Sequence, residues 1–528
     1  MNRSSKTTDD SDSPLLGLGL RLIEEPMLEF GFGQQMEYPR DGLYLFGPPI
    51  SDPPIREVRY GVVGTVEGLR RFQLWANSIA EYIDIPTPKF VGRPIKPQHV
   101  PFPGFEQAFD ATWSSTPSAT ISDVDANEVR KSLRIANRHE AVMKTVDIFV
   151  SRLVRAHDRL ENPPGFWFVV IPEEVYLLGR PKSIVPVSDR VKGDVSVSAK
   201  RAKNLVVQPT LFGNEEKEAE VYKYAAHFRR QLKARLLKDR IVTQIVRETT
   251  LTPDEFITRS GRLQRRVEDP ATIAWKLGTS AFYKAGGKPW QLANVRPGVC
   301  YVGLVYKRSN TLVEDRFACC AAQMFLSDGE GVVFRGALGP WYSPNTREFH
   351  LDKVNARGLI ELVIGEYQLL RGSRPKELFI HAKSRFTDDE WSGFSEGCPE
   401  ETQIVGVQIR DAKDALKLFR AGKYPVVRGT AVILSQRNAY LWTSGYVPRL
   451  DTYMGPETPN PIQVIVVRGE CCLDTVLSDV LGLTKINFNS CLFNERLPVT
   501  IRFADAVGEI LVSAPVDSEP KLPFKYYI

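Results

Sequence analysis

The spacing of apolar residues along the chain predicts an α/β protein. Residues 166–171 form an unbroken apolar run, which is typical of a strand buried on both faces. Residues 215–239 instead predict one long helix, because their apolar positions recur every three or four residues: Val221, Tyr224, Ala225, Phe228, Leu232 and Leu236. The other face of this helix is basic. A further helix is predicted over residues 271–285, where Gly286 and Gly287 end it.

After Pro297 the pattern changes to short strands separated by polar turns, as in an antiparallel meander. The expected order is three strands, a helix, a strand, a helix and a strand, at 300–307, 316–326, 331–336, 351–370, 377–381, 388–396 and 403–410. Three hairpin-linked strands followed by a helix and another strand form the opening order of an RNase H-like domain. Many folds begin similarly, so the order alone is a weak signal.

Changes in composition divide the chain into four regions. Residues 1–28 begin with a polar stretch and are expected to form a flexible tail. Residues 29–110 are rich in Gly and Pro, with short apolar runs such as 42–49, and predict a small β-rich segment of strands and turns. Residues 111–295 are expected to form a Rossmann-like α/β domain, and residues 296–528 an RNase H-like domain.

Composition is that of a globular protein with two or three domains. The 528 residues are 43% hydrophobic and 25% charged, and no apolar run reaches the roughly 20 residues of a membrane span. A cytoplasmic protein is therefore expected. The seven cysteines and six histidines do not fall at disulfide or zinc-ligand spacing. A net charge of +6 permits a polyanionic partner without requiring one.

Four polar residues between 229 and 284 could hold a phosphate. Arg229 and Lys233 lie four apart on the basic helix and project side by side, although a solvated basic face is the simpler interpretation. Gln244 follows, and Lys284 stands just before Gly286-Gly287. This order resembles the MID domain of Argonautes, where a Tyr-x3-Lys pair, a Gln and a Lys before Gly-Gly bind the guide's 5′ phosphate. The resemblance implies that Arg229, which replaces the Tyr, acts with Lys233, Gln244 and Lys284 at the guide's 5′ end; the alternative for Lys284 is a helix-end cation.

The second half resembles a PIWI domain. The resemblance rests on Leu-Thr-Lys-Ile-Asn-Phe-Asn at 483–489 and Leu-Pro-Val-Thr-Ile-Arg-Phe-Ala-Asp at 497–505, preceded by Gly-Thr at 429–430 and Tyr-Leu-Trp-Thr-Ser-Gly at 440–445. It implies that Lys485, Asn487 and Asn489 lie along the guide backbone. Ordinary turn and cap hydrogen bonding is the alternative for these three.

Cleavage by PIWI domains needs several carboxylates around two divalent cations. The resemblance places Val305 and Lys383 at two of the carboxylate positions, while Asp505 matches the fourth ligand and is retained. A cation in place of a carboxylate repels metal, so no cleavage is expected, and Asp505 is expected to be structural or bonded to Lys383. Glu330 is a loose candidate for the family's glutamate finger.

The resemblance as a whole is to short prokaryotic Argonautes that are catalytically inactive. It implies an RNA guide, a single-stranded DNA target, and a heterodimeric partner with an APAZ region and a TIR, sirtuin-like or nuclease effector in defence against plasmids or phage. It also implies Mg²⁺ at the guide's 5′ phosphate, held with the carboxylate of Ile528. Two alternatives are an active nuclease that uses Asp505, Asp388 and Glu330, and a guide-free nucleic-acid-binding scaffold.

Overall fold

The computed structural model describes residues 19–50, 53–86, 97–207, 213–294, 296–308, 317–326, 331–339, 342–343, 348–412, 416–453, 455, 458–515 and 522–528. Within these ranges only the backbone is described for 206–207, 213, 308, 317–326, 331–339, 342–343 and 348. No helix in the described ranges is both long and apolar enough to cross a membrane.

The first half of the chain contains short strands and eleven helices within the described residues. Its strands are β1 Gly19–Leu22, β2 Leu28–Glu29, β3 Gln35–Met36, β4 Tyr60–Val63, β5 Ala119–Ile121, β6 Phe166–Ile171, β7 Thr243–Arg247 and β8 Gln291–Leu292. Its helices are α1 Pro39–Phe46, α2 Val66–Ser78, α3 Phe105–Phe109, α4 Ala126–Leu133, α5 Arg138–Arg159, α6 Glu173–Leu178, α7 Ala199–Val207, α8 Gly213–Ala219, α9 Phe228–Leu236, α10 Glu248–Leu251 and α11 Pro270–Ala285.

The second half follows the predicted meander and then returns to helices. Its strands are β9 Val299–Arg308, β10 Phe317–Leu326, β11 Gly331–Gly339, β12 Tyr342–Ser343, β13 Glu348–Phe349, β14 Glu377–Ala382, β15 Gln403–Asp411, β16 Thr430–Ser435, β17 Asn438–Leu441, β18 Ile462–Arg468 and β19 Leu522–Pro523. Its helices are α12 Lys353–Arg371, α13 Asp388–Gly397, α14 Leu473–Gly482 and α15 Val499–Leu511.

Two sheets organise these elements. The strands β5, β4, β6 and β7 lie side by side in that order and are parallel, as in a Rossmann-like domain. The larger sheet has the order β1, β16, β17, β18, β15, β14, β9, β10, β11, β19, with β9 and β14 parallel and the meander β9 to β11 antiparallel. The larger sheet packs α12 on one face and α15 on the other. The α/β expectation, with a Rossmann-like and an RNase H-like part, is confirmed.

Local sequence accounts for the ends of α11. The side chain of Asp269 accepts a hydrogen bond from the Thr272 amide at 2.8 Å, and Pro270 occupies the first helical position. Gly286 ends the helix in the left-handed region with φ 110°. This helix therefore matches its prediction to within one residue, and it delivers Lys284 to a fixed place.

The single helix predicted over residues 215–239 is wrong. The chain is extended at Tyr224, so that α8 and a short 3-10 turn, Glu220–Lys223, are separated from α9. Backbone amides at the break bond elsewhere, since Ala225 donates to the Ser513 carbonyl at 2.9 Å and Phe228 donates to that of Gly179 at 2.8 Å. The apolar stripe is accordingly divided, because Val221 belongs to one hydrophobic cluster and Phe228, Leu232 and Leu236 belong to another.

The predicted boundary at residue 110 is also wrong, because β4 lies inside the parallel sheet, with Tyr60 opposite Phe166. Residues 42–49, predicted as a strand and turn, mostly belong to α1. A Cβ at position 42 would stand 2.2 Å from the ring of Phe30, so the glycine there allows the helix to pack closely on that ring. Within the expected tail 1–28, residues 19–22 form β1, which pairs with β16, while residues 1–18 lie outside the described residues.

Candidate guide-binding pocket and the degenerate metal site

A cavity of about 410 Å³ lies where α9, β7 and the last residues of the chain meet. Its lining includes three of the four residues predicted to hold a phosphate, namely Arg229, Lys233 and Gln244, together with Ile528. Arg229 and Lys233 remain one helical turn apart on α9 despite the break that precedes this helix. Residues distant in sequence therefore converge as the resemblance implies.

Lys233 is buried at the floor of the cavity, with 2% of its surface exposed. Its Nζ donates to the carbonyl oxygen of Thr243 at 3.0 Å and to the main-chain oxygen of Ile528 at 2.7 Å. Burial, followed by the charges on Lys284 and Arg229, lowers the pKa of Lys233 well below its ordinary value.

Lys284 adjoins the cavity from α11 and is fully buried. Its Nζ donates to Asn489 Oδ1 at 3.1 Å and lies 3.3 Å from Ser280 Oγ. Ser280 donates in turn to Gln244 Oε1 at 2.7 Å and lies 3.1 Å from Asn489 Oδ1. Burial, with a smaller effect of the charge on Arg229, lowers the pKa of Lys284 to about 7.

Sequence reasoning missed the role of Ser280 and assigned Asn489 to the guide backbone. Ser280 lies four residues before Lys284 and therefore on the same face of α11, which is the signal that could have identified it. Asn489 lines the cavity itself. It belongs with the pocket because it bonds to Lys284, a contact that no local sequence pattern indicates.

The pocket carries more positive than negative charge. Arg229, Arg230, Lys233 and the adjoining Lys284 face one lining carboxylate, Glu509, which is already paired with Arg230 at 2.6 Å. In the described part of the chain, no carboxylate side chain pairs with Lys233 or Lys284. Lys233 bonds to the main-chain oxygen of Ile528, and Lys284 has only neutral partners. Burying two ammonium groups so close together is unfavourable unless a further anion completes the site.

The residues present do not fit the Mg²⁺ expected at the 5′ phosphate. A divalent cation needs several oxygen ligands. The oxygen of Ile528 is bonded to the Lys233 ammonium, and Glu509 is bonded to Arg230. An ammonium group thus stands where the cation is expected.

The cavity lining also includes an exposed Arg229 and the aromatic ring of Tyr176. The guanidinium carbons of Arg180 and Arg247 lie 3.5 Å and 3.9 Å from the ring centre of Tyr176. Such cation–π stacking holds planar groups in place at a cavity wall. The cavity therefore has planar side chains next to the lysines at its floor.

Lys485 is a buried structural residue, which corrects its assignment to the guide backbone. Its ammonium pairs with Glu25 at 2.8 Å and donates to the carbonyl oxygens of Pro26 and Glu37 at 2.9 Å and 2.7 Å. Arg428 pairs with the same carboxylate at 2.8 Å. These contacts hold the N-terminal segment against the larger sheet and leave the Lys485 ammonium no surface to contact a nucleic acid.

Asn487 is also mostly buried, with 8% of its surface exposed. Its side chain donates to Glu495 Oε1 at 2.6 Å and accepts from the Asn489 amide at 3.0 Å. These are turn hydrogen bonds, so the simpler alternative accounts for Asn487.

The positions expected to carry catalytic carboxylates converge on the face of the larger sheet that packs α15. Strands β9 and β14 are parallel with His381 opposite Gly303, which brings Lys383 beside Val305. A Cβ at position 303 would stand 1.9 Å from the Thr500 carbonyl oxygen, so the glycine lets α15 approach the strand. This close approach places Asp505 against the two strands.

Asp505 is bonded by two lysines. Lys383 Nζ lies 3.1 Å from its carboxylate, as expected from the sequence, and Lys307 Nζ lies 2.7 Å away. Partial burial raises the pKa of Asp505, but the bonds and charges of Lys307 and Lys383 hold it below its ordinary value. Lys307 was not predicted, although it lies two residues after Val305 and therefore on the same face of β9.

The described residues do not assemble the alternative metal ligands. Asp388 begins α13, is 91% exposed, and forms an ion pair with Arg468. Glu330 lies outside the described residues. No cluster of three His, Cys, Asp or Glu side chains fit for a metal occurs among the residues that the structure describes.

No protein-family model and no curated protein matches the chain. Solved Argonaute structures do. The chain is similar to Clostridium butyricum Argonaute bound to a guide DNA and a 19-mer target DNA, with 14% identity, a TM-score of 0.56, and coverage of 97% of this chain and 55% of the other.

It is also similar to Aa-Ago with externally bound siRNA, at 14% identity and a TM-score of 0.53 over 96% and 56% of the two chains. A third similar structure is that of A. aeolicus Argonaute, at 15% identity and a TM-score of 0.51 over 95% and 54% of the two chains. The chain spans about half the length of these proteins, and over nearly all of its own length it has an Argonaute-like fold.

Proposed function

We propose that this chain binds a guide strand by its 5′ phosphate, pairs the guide with a target strand, and does not cut the target. The observation that carries the proposal is the pair of buried ammonium groups, Lys233 and Lys284, which have no carboxylate side-chain partner within the described residues. A terminal phosphate supplies up to two negative charges, and no carboxylate side chain of the described residues supplies them to these two lysines. The fold supports the same function, since C. butyricum Argonaute holds a guide and a target DNA.

Three features support the absence of cleavage. Val305 has no metal-binding atom, and Lys307 and Lys383 place two ammonium groups against the retained Asp505. One carboxylate already paired with two cations cannot hold two divalent ions against a scissile phosphate. Target binding would then act through a conformational change that a partner protein detects.

The finer proposal is that the guide is RNA, the target is single-stranded DNA, and binding activates an effector on a separate chain. It rests on the resemblance to short prokaryotic Argonautes, whose partners carry an APAZ region with a TIR, sirtuin-like or nuclease domain. The biological role would be defence against invading DNA such as plasmids or phage.

Two experiments test this function. The purified chain, loaded with a guide, is incubated with a labelled complementary target in Mg²⁺ or Mn²⁺; no cleavage is expected. Cleavage that disappears in Asp505→Ala would contradict the proposal. Sequencing the nucleic acid that copurifies with the chain should give short RNA with 5′ phosphates, and the protein that copurifies should be the effector; bound strands without a defined 5′ end would favour a guide-free scaffold.

A further inference from the structure

The two lysines at the degenerate metal site exceed what Asp505 needs. One ammonium neutralises one carboxylate, yet Lys307 and Lys383 both bond to it. A second carboxylate among the described residues, Glu509, is 3.8 Å from Lys307 and only 2.6 Å from Arg230. The group Lys307, Lys383 and Asp505 therefore keeps a net positive charge.

Among the residues described with side chains, none of the other neighbours on this face removes the excess. His381 precedes Lys383 by two residues on β14, is fully buried, and bonds through Nδ1 to Thr500. Burial lowers the pKa of His381 to about 3, so the ring is neutral. Val305 between the lysines is apolar.

The lysine pair is accessible and lies where ligands bind in such sheets. The side chains of Lys383, Asp505 and Lys307 are 46%, 35% and 23% exposed. Lys383 follows the carboxyl end of β14 and Lys307 lies at the carboxyl end of the parallel β9. The carboxyl ends of parallel strands form the open edge at which ligands bind in α/β sheets.

We propose that Lys307 and Lys383 form a phosphodiester clamp that takes the place of the two metal ions. Each ammonium has three N–H donors, and the bond to Asp505 uses one, so donors remain for the oxygens of a backbone phosphate. Asp505 sets the spacing of the two cations instead of holding metal. This inference rests on the proposed function, because it identifies one phosphate of the guide-target duplex as the ligand.

The test separates the clamp from the 5′ pocket. Wild type and Lys307→Gln/Lys383→Gln are loaded with a 5′-phosphorylated guide, and the Kd for the complementary target is measured over a salt series. Guide affinity should be unchanged, target Kd should rise at least about tenfold, and the magnitude of the salt slope should fall by about 1, because one phosphate loses its cations. Asp505→Asn, which releases both ammonium groups, should instead tighten target binding by a few fold.

Four controls make each outcome decisive. Lys307→Arg/Lys383→Arg should restore binding, which excludes a folding defect, and Lys217→Gln, an exposed lysine on α8, should have no effect. One neutral methylphosphonate linkage is moved along the target strand. Wild type should bind the target more weakly when it occupies one particular position, and the Gln variant should show no such loss at that position. Binding of a preannealed 5′-hydroxyl duplex is measured in parallel, so that the contribution of the two lysines can be determined even if the 5′ end is not recognised. Equal target affinity of wild type and the Gln variant, on both substrates, would overturn the clamp.

Discussion

Replacing Lys284 by Met removes a buried charge that has no carboxylate side-chain partner among the described residues, and it leaves a side chain of similar length in the same space. Burial lowers the pKa of Lys284 from an ordinary value of 10.5 to about 7. Since a tenfold change in proton affinity is worth ~1.4 kcal/mol, keeping this ammonium charged costs the folded state roughly 5 kcal/mol. Met loses the bond to Asn489, but Ser280 and Asn489 still contact each other at 3.1 Å. The guide-free variant should therefore be more stable than wild type by about 1–4 kcal/mol at pH 6.

The sign of the pH dependence follows from the same group. The unfolded chain binds the Lys284 proton more tightly than the folded chain does, so the penalty is full below pH 7 and falls as the pH rises towards 10.5. Wild type should gain stability relative to the variant's flatter profile between pH 7 and pH 10. The difference between the two proteins isolates Lys284 from other groups that titrate in this range.

Urea unfolding of the guide-free proteins at pH 6, 8 and 9.5 measures this directly. The stability gain of Lys284→Met should be largest at pH 6 and should shrink at pH 9.5, while its affinity for 5′-phosphorylated oligonucleotides should fall at least about tenfold. A variant less stable than wild type at pH 6 would refute the account, because it would mean that the buried ammonium already has its counter-charge.

Three further predictions address the neighbouring residues. Affinity for a 5′-phosphorylated oligonucleotide should fall by up to about tenfold per pH unit above pH 7, because Lys284 must regain its proton. The affinity for a 5′-hydroxyl oligonucleotide should not change with pH. If both affinities fall in parallel, Lys284 does not bind the 5′ phosphate. Lys485→Met should destabilise the protein by about 3 kcal/mol in urea unfolding, because it removes one of the two cations on Glu25. The control Lys217→Met should change stability by less than about 0.5 kcal/mol. Equal effects of the two substitutions would exclude a structural role for Lys485. Arg229→Ala should weaken guide binding less than Lys233→Ala in filter binding, since Arg229 is an exposed residue of the cavity lining, and the reverse order would move the phosphate towards Arg229.

Much of the fold could be predicted because local signals and tertiary packing agree. The Asp269 cap and Gly286 terminus fixed α11, and the alternating apolar runs located β9, β14 and β15 to within one or two residues. The helix predicted over residues 215–239 was wrong because local signals and tertiary packing disagree there. Their helical stripe is real, but Ser513 and Gly179 accept the amide bonds at the break, and neither contact is visible in the local sequence.

In the candidate sites too, residues with a local sequence signal could be predicted and residues that depend on distant contacts could not. The order Arg229, Lys233, Gln244 and Lys284 predicted residues that do meet around one cavity. Lys485 could not be assigned from its motif, because its partner Glu25 lies 460 residues away and only the folded chain brings the two together. Lys307 could have been found from the two-residue period of β9, which places it on the same face as Val305.

The most direct test of the central claim is a competition between two oligonucleotides of identical sequence, one with a 5′ phosphate and one with a 5′ hydroxyl, for wild type and for Lys233→Ala. The account predicts that wild type prefers the phosphorylated strand at least about tenfold at pH 7, which is the worth of one or two charge-assisted hydrogen bonds, and that Lys233→Ala loses this preference while it still folds. Equal binding of the two strands by wild type would contradict it, because buried Lys233 and Lys284 would then serve no terminal phosphate.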